Sequence, residues 1–216
     1  MIKSTAAAIS MILASTVPTL AQDVIVYGGG EVELLFSPDG SGSDNTSTLS
    51  AYVEAEINGF YAGLNAEVAN DDVADEIYAY LGFRNDLDSG FSYDLSYTQY
   101  YYPNDGGACC GEILLSLGQT IGDKASVTLD IYHVPDDSTS SAYVGVAYDF
   151  TDTWIGSVNF GVYEVAGADN ETEWDIGATY AVSDEIGIDL RYYDGSDYAD
   201  GYFGLSATYD TTIFGG

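Results

Sequence analysis

The chain has 216 residues and carries 35 Asp and Glu against 4 Lys and Arg, a formal net charge of −31 at pH 7. No basic stripe exists to neutralise phosphates, which excludes a nucleic-acid-binding role and leaves a field that favours cations.

Lys3, the apolar run Ala6 to Leu13 and the small-x-small triplet Thr19-Leu20-Ala21 read as a secretory signal peptide cut after Ala21. Residues 1–21 are thus expected to be removed, and residues 22–216 to form one β-barrel domain. No later segment approaches the roughly 20 continuous apolar residues of a membrane helix, so any membrane crossing must be by strands.

From there, alternating hydrophobicity recurs about a dozen times. The first strand is weak, Gly30 to Phe36. Thr48 to Ile57 follows, turning at Asn58-Gly59 into Phe60 to Ala69, and then Asp75 to Arg84. The middle comprises Phe91 to Tyr102, Glu112 to Thr120, Ala125 to His133 and Ala142 to Phe150. Trp154 to Glu164, Glu173 to Val182, Ile186 to Tyr193 and Gly201 to Tyr209 complete the set.

A period of two puts Leu49, Val53, Leu64, Ile77, Leu81, Leu115, Leu129, Val144, Ile188 and Leu190 on one face. The charged residues in the strand cores fall on the other: Glu54, Glu56, Glu67, Glu76, Arg84, Asp94, Glu112, Asp130, Asp149, Asp175, Asp189 and Arg191. A charge at a bilayer midplane costs about 2–4 kcal/mol, so this sorting is what hydrocarbon would select. Short connections alternate with long ones. Outward-phase aromatics gather beside the short turns (Phe60, Phe83, Phe91, Phe150, Trp154, Tyr180, Tyr209) and beside the long loops (Tyr101, Trp174, Tyr192, Phe203). The pattern predicts an all-β fold: a transmembrane antiparallel up-and-down β-barrel of twelve strands, short turns periplasmic, in the outer membrane of a Gram-negative bacterium. Tyr209 or Phe214 would supply the aromatic on which many such barrels end.

The pore-lining candidates on the inward phase are Glu54, Glu56, Glu67, Glu76, Tyr78, Tyr80, Arg84, Asp94, Asp130, Asp175, Asp189 and Arg191. Tyr52, Tyr61, Tyr100, Tyr102, Tyr132, Tyr143, Tyr163 and Tyr202 share that phase. These tyrosines either pack the interior shut or line a channel and stack on planar solutes.

Other features carry less. His133, the one histidine, has no serine at His-x-Ser spacing and reads as an interfacial residue, although Ser138, Ser140 and Ser141 follow. Cys109-Cys110 lie in a stretch read as a Gly-rich extracellular loop, where an oxidising envelope allows a disulfide; neighbouring Cα atoms only about 3.8 Å apart make it a tight one. The Asp-rich loops at Asn70-Asp71-Asp72 and Asp194 to Asp200 lack Ca²⁺-loop spacing and read as solvated, with divalent bridging to lipopolysaccharide as the lesser reading. No metal constellation, cofactor motif or catalytic triad appears.

At Gly59-Phe60-Tyr61-Ala62-Gly63, and at Tyr100-Tyr101-Tyr102-Pro103 followed by Glu112, the chain resembles the TorF-type porins, the Gcw_chp family of proteobacterial outer-membrane proteins. The resemblance implies an outer-membrane barrel with a pore role and brings no catalytic residues. The expected function is therefore that of a porin passing small solutes, preferring cations, and not an enzyme. Its partners would be outer-membrane lipid, lipopolysaccharide, the barrel-assembly machinery and the solutes or cations themselves. The rival readings are a closed structural or adhesive barrel and a soluble periplasmic sandwich.

Overall fold

The structure, a computed structural model, describes residues 24–37, 45–70, 75–104, 106–196 and 201–215. The signal-peptide segment and most of the two Asp-rich loops lie outside them. Among the described residues twelve strands occur in chain order: β1 (Ile25–Phe36), β2 (Thr46–Ile57), β3 (Phe60–Ala69), β4 (Glu76–Asp86), β5 (Phe91–Tyr102), β6 (Gly107–Ile121), β7 (Ala125–Val134), β8 (Thr139–Asp149), β9 (Trp154–Tyr163), β10 (Glu171–Ala181), β11 (Ile186–Gly195) and β12 (Tyr202–Phe214). Each pairs antiparallel with its chain neighbours, and β1 pairs with β12, so the sheet is a closed barrel. Closure leaves no edge strand, and every strand finds its backbone partners within the wall.

The phase assignment translates directly into exposure. Leu81 is 60% exposed and Leu64 54%, whereas Glu54 is 7% and Arg191 7%. Among the described residues the only buried hydrophobic side chains are Tyr61 and Tyr193. A water-soluble sandwich would bury its leucines, so this inside-out distribution rules that reading out; a continuous apolar exterior needs a nonpolar surrounding. Both aromatic girdles form. Phe60 lies 4.6 Å from Phe83, Trp154 4.9 Å from Tyr180 and Tyr148 5.2 Å from Phe150 at the short-turn rim. At the other rim Phe203 contacts Phe36 at 5.7 Å and Tyr192 at 5.1 Å. An apolar hollow of about 500 Å³ dents the exterior of β2 to β5 where Ala55, Ala62 and Ala79 are too short to fill the band; it faces away from the lumen.

Three expectations need correction. β1 begins at Ile25, not Gly30, because Gly28, Gly29 and Gly30 carry no side chains with which to show alternation, yet all three pair with both β2 and β12. β12 continues past Tyr209 to Phe214, which pairs with Val26; the polar run Asp210-Thr211-Thr212 hides this extension. Phe214 is thus the last aromatic of the last strand and is 67% exposed. Finally, Cys109 and Cys110 stand inside β6, not in a loop.

The cysteines also explain a local irregularity. Gln99 pairs with Gly111 and Tyr101 with Ala108, so both cysteines oppose the single residue Tyr100: they are the bulge of the β5–β6 ladder. Their sulfurs are joined in a disulfide between adjacent residues. Such a bridge closes almost no chain and restrains the unfolded state little. The double variant Cys109→Ser with Cys110→Ser is expected to keep the heat-modifiable gel mobility of the folded barrel; its loss would mean that the bulge depends on the bridge.

Candidate functional site

The inward faces of the twelve strands enclose the barrel interior, and the inward-phase candidates named from the sequence are all buried or half-buried. The interior holds two cationic clusters. Near the short-turn rim, Arg84 on β4 reaches across β3 to β2: Nε donates to Glu56 Oε2 at 2.9 Å and Nη2 to Glu54 Oε1 at 2.5 Å. Its guanidinium also lies 4.5 Å from the centre of the Tyr61 ring and 5.9 Å from that of Tyr27. Register is the cause: Phe83 pairs with Phe60, which puts Arg84 beside the Asn58-Gly59 turn, and its side chain passes over the Tyr61 ring to Glu56, the partner of Tyr61, and to Glu54, the partner of Gly63.

On the far wall, Arg191 of β11 bonds Asp175 through Nη1, Asp189 through Nε at 3.2 Å and Ser157 through Nη2 at 2.7 Å. The guanidinium lies over Gly177, where an added Cβ would come within 2.8 Å of Cζ. Asp175 also accepts from Asn159 Nδ2 at 2.8 Å, and Asp189 from Thr179 Oγ1 at 2.7 Å. Each interior arginine is therefore shared by two carboxylates. Among the described residues the remaining basic side chain, Lys124, is exposed in the β6–β7 turn, so the rest of the lumenal acid has no basic counterpart.

The tyrosines do not plug the interior at random. Cross-strand partners of several are glycines: Tyr80 faces Gly63, Tyr61 faces Gly82 and Tyr143 faces Gly161. A Cβ on Gly63 would sit 2.3 Å from the Tyr80 ring, and one on Gly161 2.2 Å from that of Tyr143, so each ring lies where a neighbouring side chain would otherwise stand. Lying flat against the wall keeps the ring out of the lumen centre. Their hydroxyls reach carboxylates: Tyr61 donates to Asp94 at 2.6 Å, Tyr100 to Glu112 at 3.3 Å and Tyr52 to Asp210 at 2.7 Å. The last of these bonds crosses over Gly29 of β1, whose missing side chain makes room where the barrel closes.

Sequence reasoning missed several inward groups: Glu31 and Glu33 on the weak first strand, Glu173, Tyr27, Tyr193 and Asp210. Glu31, Glu33, Glu173 and Tyr193 already lay on the inward phase of the expected strands, and Tyr27 and Asp210 join it once β1 and β12 are extended, so that signal could have found them. His133 does sit on the exterior, and its Nδ1 lies 3.1 Å from Ser140 Oγ directly across the β7–β8 ladder, a contact invisible as sequence spacing. Among the described residues no cluster of three metal-ligating side chains occurs.

The barrel is similar to solved porins. A KdgM porin superposes with a TM-score of 0.67 at 10% identity, covering 84% of this chain and 98% of its own. A KdgM porin in complex with disordered oligogalacturonate gives 0.62 at 12% identity over 87% and 98%. A NanC porin gives 0.60 at 12% identity over 86% and 100%. At this identity the likeness is one of fold. No protein-family model matches the chain, so the TorF-type resemblance gains no support there, and no curated protein matches either.

Proposed function

We propose that the protein is an outer-membrane porin through which small solutes diffuse, with a preference for cations. One observation carries the reading: a closed barrel wears its leucines outside and its carboxylates inside, with each interior arginine already held by two acids. The porin fold of its structural neighbours and the leader-like first 21 residues support an outer-membrane location. A barrel of twelve strands about 4.8 Å apart, tilted near 40°, is roughly 24 Å across between backbones. Glu31, Glu33, Glu67, Glu76 and Asp130 then lie within about one or two Debye lengths of one another, and their fields overlap. The oligogalacturonate of one similar barrel is a polyanion and would meet like charge here.

Reversal potentials across a KCl gradient in planar bilayers test the proposal. At about 0.1 M salt the Debye length is roughly 10 Å, and the channel should select K⁺; at about 1 M it shrinks to roughly 3 Å and the preference should weaken. Anion selectivity, or no channel steps from correctly folded protein, would overturn it.

A further inference from the structure

Four lumenal tyrosines form a ladder along one wall. Tyr61 stands next to the short β2–β3 turn; its ring lies 6.1 Å from that of Tyr80, Tyr80 6.1 Å from Tyr78, and Tyr78 5.5 Å from Tyr100, near the opposite end of β5. The rings thus run from one rim to the other across β3, β4 and β5. Carboxylates accompany each rung. Asp94 is bonded to Tyr61 and Glu112 to Tyr100; Glu76 precedes Tyr78 by one inward position, and Glu67 pairs directly with Glu76.

The lowest rung is already occupied, and by a group of this chain. The Arg84 guanidinium sits over the Tyr61 ring at 4.5 Å while bonding Glu54 and Glu56, so this wall binds an organic cation through an aromatic face and two carboxylates together. The upper rungs repeat those elements: Tyr78 stands beside Glu67 and Glu76 and Tyr100 beside Glu112 and Glu76, while Tyr80 joins them to the lowest rung through Glu54. Neither other basic side chain of the described residues reaches them: Arg191 is engaged on β10 and β9, and Lys124 sits in an opposite turn. Glu67 and Glu76 directly opposed repel one another, a cost that a bound cation removes. Tyr80 lies over Gly63, and Tyr78 and Tyr100 are tilted against one another, so the row presents both ring faces and edges, and a guanidinium or ammonium is attracted by the quadrupole of a ring face.

We infer that the Tyr78–Tyr80–Tyr100 wall, with Glu67, Glu76 and Glu112, is a binding track for organic cations bearing guanidinium or alkylammonium groups, Arg84 on Tyr61 being its intramolecular counterpart. The inference rests on the cation-preferring pore proposed above and names the solute class that such a pore would favour. Neutral sugars could stack on the same rings but would leave the carboxylates without a charge partner.

Agmatine, which carries both groups, tests it as a blocker of KCl current, with maltose as the neutral control. Block should occur at concentrations at which maltose has no effect. The double variant Tyr78→Leu with Tyr100→Leu should weaken it roughly tenfold, whereas Tyr78→Phe with Tyr100→Phe, which keeps the rings, should stay within about twofold of the parent. Block by maltose but not agmatine, or equal loss in the Leu and Phe pairs, would overturn the track while leaving the pore intact. If folded barrels pass no current, the pore reading fails by itself. Titration calorimetry of agmatine into the detergent-solubilised barrel then decides the track, binding that the Leu pair loses supporting it and absence of binding overturning it.

Discussion

Leu81→Arg is expected to abolish assembly of the folded barrel, whereas Tyr80→Arg, one residue away, leaves it largely intact. Leu81 is 60% exposed on the exterior of β4, between Ala62 of β3 and Tyr97 of β5, one outward position in from the girdle residue Phe83. A guanidinium there enters hydrocarbon at a cost of about 2–4 kcal/mol, a large share of the 5–15 kcal/mol that typically separates folded from unfolded protein. Tyr80 points the other way, into a lumen rich in acid, and an arginine there gains carboxylate neighbours. The measurement is the fraction of protein that migrates as the compact form in unboiled gel samples after refolding into detergent or lipid. Equal tolerance of the two substitutions would show that the strand phase, and with it the membrane reading, is wrong.

A comparable loss is expected from Arg191→Met, for the opposite reason. The arginine side chain is 8% exposed, and Asp175 and Asp189, which it bridges, are 13% and 19% exposed. Removing the cation leaves two neighbouring carboxylates with little water and no counter-charge. Breaking a buried pair in this way costs about 3–5 kcal/mol. Methionine keeps much of the side-chain length, so the deficit is electrostatic rather than a matter of volume. The temperature at which the compact gel form disappears should fall in the single variant and recover substantially when Asp175→Asn and Asp189→Asn are added, because the neutral amides need no counter-charge. A single variant as heat-resistant as the parent would mean that lumenal water screens the cluster. Arg84 provides an internal comparison: its side chain is 38% exposed, so the same substitution there should cost less.

The phase of the strands was legible from residues alone because lipid imposes a one-dimensional rule. Alternate positions must be apolar, and Leu49-Ala51-Val53 against Ser50-Tyr52-Glu54 obeys it with no knowledge of neighbours. Where that signal lapses, reading failed. The Gly28-Gly29-Gly30 run has no side chains to alternate, the Asp210-Thr211-Thr212 run is polar on both phases, and Cys109-Cys110 form a bulge that breaks the period. Each of these segments belongs to the wall only because a neighbouring strand accepts its backbone.

Residue order alone thus carried the barrel architecture and the alternation of an apolar with a polar strand face, while the count of twelve strands rests on the closed sheet. Residue order did not determine the partners of the side chains. Arg84 meets Glu54 from 30 residues away, Tyr52 meets Asp210 from 158 residues away across the closing strands, and Tyr80 lies on Gly63. Those pairings depend on the register of each strand against the next and on the closure of β1 with β12. Period-two alternation fixes a residue's face but not its height on the neighbouring strand, and a shift of two residues keeps every side chain on its proper face while changing every partner. The combined geometry of turns, bulges and ring closure selects one register, and only the folded barrel supplies it.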